Sequence, residues 1–175
     1  MHKTLSYPLH LKSTLEDGSF SGYASVFDIV DRQNEQVAYG AFTKSLHTWQ
    51  KKGSLPKMLW QHDPKSPIGV WNEIREDQHG LYVSGQLLLD VQRGQEAYSL
   101  IRKGIIDSLS IGFTVARSRK SYIAKTRVLE EIDLHEISLV TFAANIQARI
   151  TSCKAITSTK DVMEKIQRLT TLIRE

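Results

Sequence analysis

Short stretches in which apolar and polar residues alternate recur along most of the chain. This period-two pattern is typical of half-buried β-strands. We therefore predict strands over residues 4–13, 20–27, 55–61, 68–75, 81–87, 107–115 and 127–142, the last as a long bent pair. The pattern fades over residues 28–40, which we interpret as a loop, and over 117–126, which we interpret as a polar excursion.

Three segments carry apolar residues at helical spacing instead. In residues 41–49 these are Phe42, Leu46 and Trp49, and a second helix is predicted over 92–103. Residues 160–174 form a predicted amphipathic tail helix, which follows a linker over 151–159. That helix either packs on its own domain or meets a partner.

The order of these elements predicts the fold class. The strands are too short and too close together for repeated βαβ units. We therefore predict a mainly β protein with helices (α+β): a small antiparallel β-barrel surrounded by a few helices. Residues 1–150 form the predicted domain, and residues 151–175 are the linker and the C-terminal helix.

The composition of the chain limits the cellular compartments and the binding partners that we expect. The 175 residues are 41% hydrophobic and 24% charged, with a net charge of +4. The basic residues are scattered, with only short clusters at 117–120 and 51–52, so we predict no nucleic-acid partner. No apolar run reaches the length of a membrane span or a signal peptide. The single cysteine, Cys153, cannot form a disulfide within the chain, which suits the cytoplasm.

Motifs for metals and cofactors are missing from the sequence. None of the six histidines belongs to an HExxH or HxH pattern, and neither GxxxxGK[ST] nor GxGxxG occurs. We therefore predict no cofactor and no metal. A metal-dependent hydrolase that uses His62, Asp63 and Glu136 remains a weaker alternative.

Two candidates for nucleophilic catalysis lie in the segment DSLSIGF. Ser108 and Ser110 both fall on its polar face, together with Gly112, whose missing side chain would let a substrate approach. A nucleophilic hydroxyl needs a base within hydrogen-bond reach. His62 is a candidate base, since it stands where an apolar strand gives way to a proline turn.

Glu136 stands in an otherwise apolar segment, so it is the third candidate. Strand alternation places it beside Leu134 and Ser138, with His135 on the opposite face. A buried carboxylate without a partner is costly. Either a histidine or Arg127 could supply that partner.

Five segments of the chain, taken in order, form one set of motifs. They are GYASVF (22–27) with Asp31 and YGAFTKSL (39–46), LWQHD (59–63) with PIG (67–69), GLYVSG (80–85), SLSIGF (108–113), and LHEISLVT (134–141) with Ala144, Asn145 and Ala148. In these motifs the sequence resembles the prohead (capsid maturation) serine proteases of tailed phages, which are distant relatives of the herpesvirus assemblins. The resemblance covers about residues 18–150.

The resemblance implies a function and assigns roles. It implies a serine endopeptidase with an assemblin-like barrel that cuts scaffold and capsid-protein segments, and also itself. Ser110 would be the nucleophile, His62 the general base and Glu136 the third member. His135 stays open as that member, because assemblins use a second histidine. Oxyanion donors would come from backbone near residues 110–112 or 144–145.

The same resemblance implies partners and a location. The substrates would be the phage major capsid protein and the scaffold, inside the immature capsid (prohead) in the host cytoplasm. A homodimer or higher oligomer remains open, and neither nucleic acid nor membrane is expected. The alternative function is a catalytically silent capsid-assembly or scaffold-binding barrel of the same fold.

Overall fold

Residues 16–121 and 125–155 are described by the computed structural model. Within them, residues 17–154 form one compact unit. The predicted strand over 4–13 and the predicted helix over 160–174 lie outside the described residues. The proposed domain boundary at residue 150 therefore stays a prediction.

The described residues form eight strands and two helices. In chain order they are β1 (Glu16–Val26), β2 (Glu35–Val37), α1 (Thr43–Lys51), β3 (Lys57–Trp60), β4 (Asp63–Glu76), β5 (Gly80–Leu87), α2 (Gln92–Arg102), β6 (Ser108–Ser121), β7 (Thr126–Val140) and β8 (Ile150–Ala155).

All eight strands belong to one sheet with the order β2-β7-β3-β4-β5-β1-β8, and β6 pairs with β7. An antiparallel bridge between Ser108 and Arg149 connects the start of β6 to the residue before β8, so the sheet curls back on itself. The predicted mainly β, barrel-like fold with a few helices is confirmed. One departure is that β7 pairs with β2 and with β3 in parallel.

Strand β7 is covered along both of its edges. Strand β6 pairs with it along its length on one edge, so the short strands β2 and β3 share the other edge. Helix α1 and the residues before it fill the gap between them. Ile132 donates its N–H to the carbonyl of Ala41 (3.1 Å), and Leu134 donates to Ser45 Oγ (2.9 Å). Trp49 Nε1 donates to the Leu134 carbonyl at 2.8 Å.

Replacing Ser45 with alanine tests this arrangement. Ser45 is buried, so the change leaves the Leu134 N–H without an acceptor inside the protein. We expect a loss of about 1–3 kcal/mol in the free energy of unfolding, the usual cost of a buried unpaired group. Urea denaturation of both proteins measures it. The exposed Ser54 is the matched control, and equal losses for Ser45→Ala and Ser54→Ala would contradict the proposed role.

The larger of two hydrophobic clusters among the described residues fills the inside of the curled sheet. Its fully buried side chains include Phe42 just before α1, Leu109 of β6 and Ile137 of β7. Leu109 and Ile137 lie on the core-facing side of strands that also carry the candidate site residues. The core therefore fixes which face of β6 and β7 is left for chemistry.

Several predicted boundaries were wrong. The polar segment 117–126 is largely strand, because β6 continues to Ser121 and β7 begins at Thr126. Cross-strand ion pairs stabilise this exposed ladder, as Arg117 and Arg119 both contact Glu130. The predicted strand pair over 127–142 is the single strand β7.

Two further predictions were wrong because pairing with other strands was not visible in the sequence. The predicted loop 28–40 contains β2, and the predicted linker 151–159 begins as β8. Strand β8 follows β1 in the sheet order, and Ile150 and Cys153 pack against the core.

Candidate active site

Three neighbouring strands bring the candidate residues together. His62 follows β3, Ser110 lies on β6, and Glu136 lies on β7 between them. Ser110 pairs directly with Ser138, and Gly112 pairs with Glu136. Residues directly opposite each other in an antiparallel pair project on the same side. Ser110 and Glu136 therefore share one face of the sheet.

The His62 ring contacts the Glu136 carboxylate. Nδ1 of His62 lies 2.6 Å from Oε1 of Glu136. Because an ionised carboxylate only accepts hydrogen bonds, this contact places the ring proton on Nδ1. In the neutral ring Nε2 is then an acceptor, which is the form that a general base requires.

Ser138 completes this arrangement, and sequence reasoning did not assign it a role. Its hydroxyl donates to Oε2 of Glu136 (2.6 Å) and accepts from the backbone N–H of His62 (3.2 Å). It is fully buried. The available signal was its spacing, since it follows Glu136 by two residues on the same strand face.

The chain turns at His62 through an unusual backbone conformation. Gln61 and His62 have φ angles of 53° and 61°, in the left-handed region that non-glycine residues rarely adopt. Gln61 holds the turn against the end of β7, since its Nε2 donates to Thr141 Oγ1 at 2.9 Å. The turn was predicted at Pro64, but Pro64 lies inside β4.

An irregularity in β7 corrects the predicted faces around Glu136. Gly112 pairs with Glu136 but Phe113 pairs with Leu134, so His135 has no direct partner on β6. Such a bulge shifts the alternation of side chains. Leu134 is therefore buried in the core rather than beside Glu136, and His135 is exposed, with Nε2 2.7 Å from Thr114 Oγ1.

Ser110 is half-buried and borders a small cavity of about 70 Å³. The cavity is also lined by Ser25, Asp31, Ala144 and Asn145. Within the described part of the chain, Ser110 Oγ makes no hydrogen bond, so it does not bond to His62 in this arrangement. Catalytic hydrogen bonds are often long until substrate binds.

Ser108, the rival candidate, is buried and uses its hydroxyl locally. Its Oγ donates to Asp107 Oδ1 at 2.9 Å, and it pairs with Val140 rather than Ser138. Ser108 is therefore one pleat further along the strand from the His62–Glu136 contact than Ser110 is.

Gly112 has a different role from the one expected. A Cβ atom on Gly112 would lie 2.1 Å from Oε1 of Glu136. The Glu136 side chain thus occupies the space that we predicted for substrate. A glycine at this position leaves room for the Glu136 carboxylate, whose Oε1 contacts His62.

The residues that we considered as alternative partners of Glu136 or as metal ligands make other contacts. Arg127 contacts Glu35 (3.0 Å), not Glu136. Asp63 accepts hydrogen bonds from the Ser66 hydroxyl and the Lys65 amide, and these lower the pKa of its carboxyl. Among residues 16–121 and 125–155, no three metal-ligating side chains converge.

Neither described helix has the length and apolar character needed to cross a membrane.

Comparisons with known proteins give the family. The sequence pattern of the caudovirus prohead serine proteases matches residues 7–162. The prohead protease of Enterobacteria phage HK97 is 33% identical over 178 residues, covering 99% of this chain and 76% of the relative. A capsid polyprotein of Pseudomonas phage PAJU2 is 35% identical over 104 residues, covering 56% of this chain but 16% of that protein.

Solved structures agree in fold. The bacteriophage T4 capsid assembly protease superposes with a TM-score of 0.53 at 12% identity, covering 70% of this chain and 81% of that one. The KSHV protease, solved with a hexapeptide phosphonate inhibitor, gives 0.50 at 10% identity, covering 87% and 76%. At such identities the likeness concerns the fold alone. The family match and the HK97 relative together show that this chain belongs to the caudovirus prohead serine protease family.

Proposed function

We propose that this serine endopeptidase cuts scaffold and capsid-protein segments, and also itself, inside the immature phage capsid, with Ser110, His62 and Glu136 as its catalytic residues. The observation that carries the assignment is the 2.6 Å contact between His62 Nδ1 and Glu136 Oε1, on the sheet face that also presents Ser110. The phage capsid relatives support the substrate class.

The proposed mechanism is acyl transfer. Ser110 Oγ attacks the scissile carbonyl while His62 Nε2 takes its proton, and the imidazolium then donates that proton to the leaving amine. Water, activated by the same histidine, hydrolyses the acyl-enzyme and restores Ser110. Glu136 orients the ring and stabilises its charged form. We expect Ser110 and His62 to come within about 3 Å of each other when substrate binds.

Ser138 acts in this scheme as a positioning residue. It touches both the backbone of His62 and the carboxylate of Glu136, so it fixes the base and its orienting partner relative to each other. Groups of this kind preserve the geometry that catalysis requires without meeting substrate.

A fluorophosphonate probe tests the assignment, because such probes form a covalent adduct with an activated serine. We expect mass spectrometry of the labelled protein to locate the adduct on Ser110. An adduct on Ser108 would transfer the role of nucleophile to that residue. Cleavage of capsid protein that a chelator abolishes, without any adduct, would favour the metal-dependent hydrolase.

The alternative function, a catalytically silent capsid-assembly or scaffold-binding barrel, predicts a different result. The probe should then form no adduct, and co-expressed capsid protein should not be processed. The hydrogen bonds that join His62, Glu136 and Ser138 argue against this alternative. A protein that only binds scaffold has no need for a partly buried carboxylate that contacts an imidazole.

Replacing Gly112 with alanine separates catalysis from stability. The added Cβ would displace the end of the Glu136 side chain, which is flexible and can swing away. We expect a near-normal unfolding midpoint but a loss of peptidase activity of about 10²-fold or more, because the carboxylate leaves His62. Activity on a cut-site peptide and thermal unfolding measure the two effects. Unchanged activity would contradict the role given to Glu136.

A further inference from the structure

A wide groove lies at the end of the β6–β7 hairpin far from Glu136. It has a volume of about 740 Å³ and runs between this hairpin and residues 33–35. Its basic side chains are Arg119, Lys120, Lys125 and Arg127. We call it the basic groove. Nothing in the proposed catalytic mechanism uses it.

The charge of the basic groove is not balanced by the carboxylates around it. Arg119 shares the carboxylate of Glu130 with Arg117 outside the groove, and Arg127 pairs with Glu35. Lys120 and Lys125 make no ion pair within the described part of the chain. The groove therefore presents excess positive charge to solvent, which attracts acidic ligands.

Hydrogen bonds hold the two walls of the basic groove together. Asn34 Nδ2 donates to the Lys125 carbonyl (2.8 Å), and the Arg127 N–H donates to the Asn34 carbonyl (3.1 Å). Arg127 Nε also donates to Ser118 Oγ at 3.0 Å. Because the walls are tied in place, binding a ligand costs little ordering of the protein backbone.

The basic groove and the cavity beside Ser110 are neighbours, since Gln33 and Glu35 line both spaces. Ser110 and Arg119 are nine positions apart on β6, which corresponds to about 30 Å of extended strand. A peptide extended along this strand would therefore reach the groove about nine residues from the bond that is cut.

We propose that the basic groove binds an acidic stretch of the substrate polypeptide, about nine residues from the scissile bond. The position along the substrate rests on the proposed assignment of Ser110, whereas the chemistry of the ligand rests on the groove itself. Its contacts are the ammonium groups of Lys120 and Lys125.

A binding experiment tests the groove without relying on catalysis. The probe is a fluorescein-labelled peptide of alternating glutamate and serine, titrated against the Ser110→Ala protein so that it is not cut. We expect Lys120→Gln with Lys125→Gln to weaken binding about tenfold or more. We also expect added salt to weaken binding of the peptide to the parent protein.

Two controls make the outcome decisive. Lys51→Gln with Lys103→Gln removes the same charge from exposed positions elsewhere and should leave the affinity unchanged. A peptide with glutamine in place of glutamate should bind weakly. Equal losses of peptide affinity in the two double lysine variants would overturn the proposal. Binding of a single-stranded oligonucleotide without binding of the acidic peptide would overturn it as well.

Cleavage kinetics keep this proposal distinct from the catalytic one. With capsid protein as the substrate, the double variant Lys120→Gln, Lys125→Gln should have a lower kcat/KM, because its KM rises. If it cleaves normally while Ser110→Ala does not cleave, the groove proposal fails and the catalytic assignment stands. If Ser110→Ala still cleaves, the nucleophile is wrong, and the binding titration alone decides the chemistry of the groove.

Discussion

Ser110→Ala should abolish processing of co-expressed capsid protein while the protein folds normally. Without its Oγ no acyl-enzyme forms, and loss of a catalytic serine costs about 10⁴-fold or more in rate. The hydroxyl of the half-buried Ser110 makes no hydrogen bond within the described residues. The free energy of unfolding of the protein should therefore change by only about 0.5 kcal/mol. Gel analysis of processing and thermal unfolding measure the two effects.

Ser108→Ala is the matched control on the same strand face. It removes a hydroxyl that bonds to Asp107, so we expect a small loss of stability and retained processing. The assignment of the nucleophile is wrong if Ser110→Ala protein still processes capsid protein, or if the Ser108 variant alone is inactive.

Glu136→Gln should lower kcat by about 10²–10⁴-fold with little change in KM. The amide nearly matches the carboxylate in size and can still contact Ser138. It has no negative charge, however, so it no longer stabilises the imidazolium that forms when His62 takes the proton of Ser110. Steady-state kinetics on a peptide that spans an identified cut site measure this effect.

Two neighbouring substitutions serve as controls for Glu136. Asp63→Asn changes a carboxylate whose hydrogen bonds go only to the neighbouring Lys65 and Ser66, so activity should persist. His135→Ala removes a ring that points towards Thr114, and activity should also persist. A larger loss for His135→Ala than for Glu136→Gln would point to an assemblin-like second histidine. Loss of activity in the Asp63→Asn variant, together with inhibition of the parent protein by a chelator, would indicate the metal-dependent reaction.

The sequence predicted the strands and the fold class well, because each element has its own periodicity. Strand β5 and both helices lie close to their predicted positions, whereas β4 begins at Asp63 and β6 ends at Ser121, beyond the predicted ranges 68–75 and 107–115. Pairing between distant segments carries no such local signal. The short strand β2 and the strand β8 have few apolar residues and are strands only because β7 and β1 offer free edges.

The site was predictable in its residue types but not in its contacts. The resemblance selected His62, Ser110 and Glu136, and the structure places His62 against Glu136 and Ser110 on the same face. The role of Ser138 depends on the left-handed turn at His62, which directs a backbone N–H at its hydroxyl. The position of His135 depends on a bulge, and simple alternation cannot reveal a bulge.

The contact between His62 and Glu136 joins residues that are 74 positions apart in the chain. Such contacts form late in folding, because the entropy of closing a long loop is lost before the contact stabilises anything. His62 and Glu136 meet only after β3 has docked beside β7. If Glu136 orients His62 as we propose, a newly synthesised chain has no working peptidase until its sheet is complete, and the timing of proteolysis is then coupled to folding.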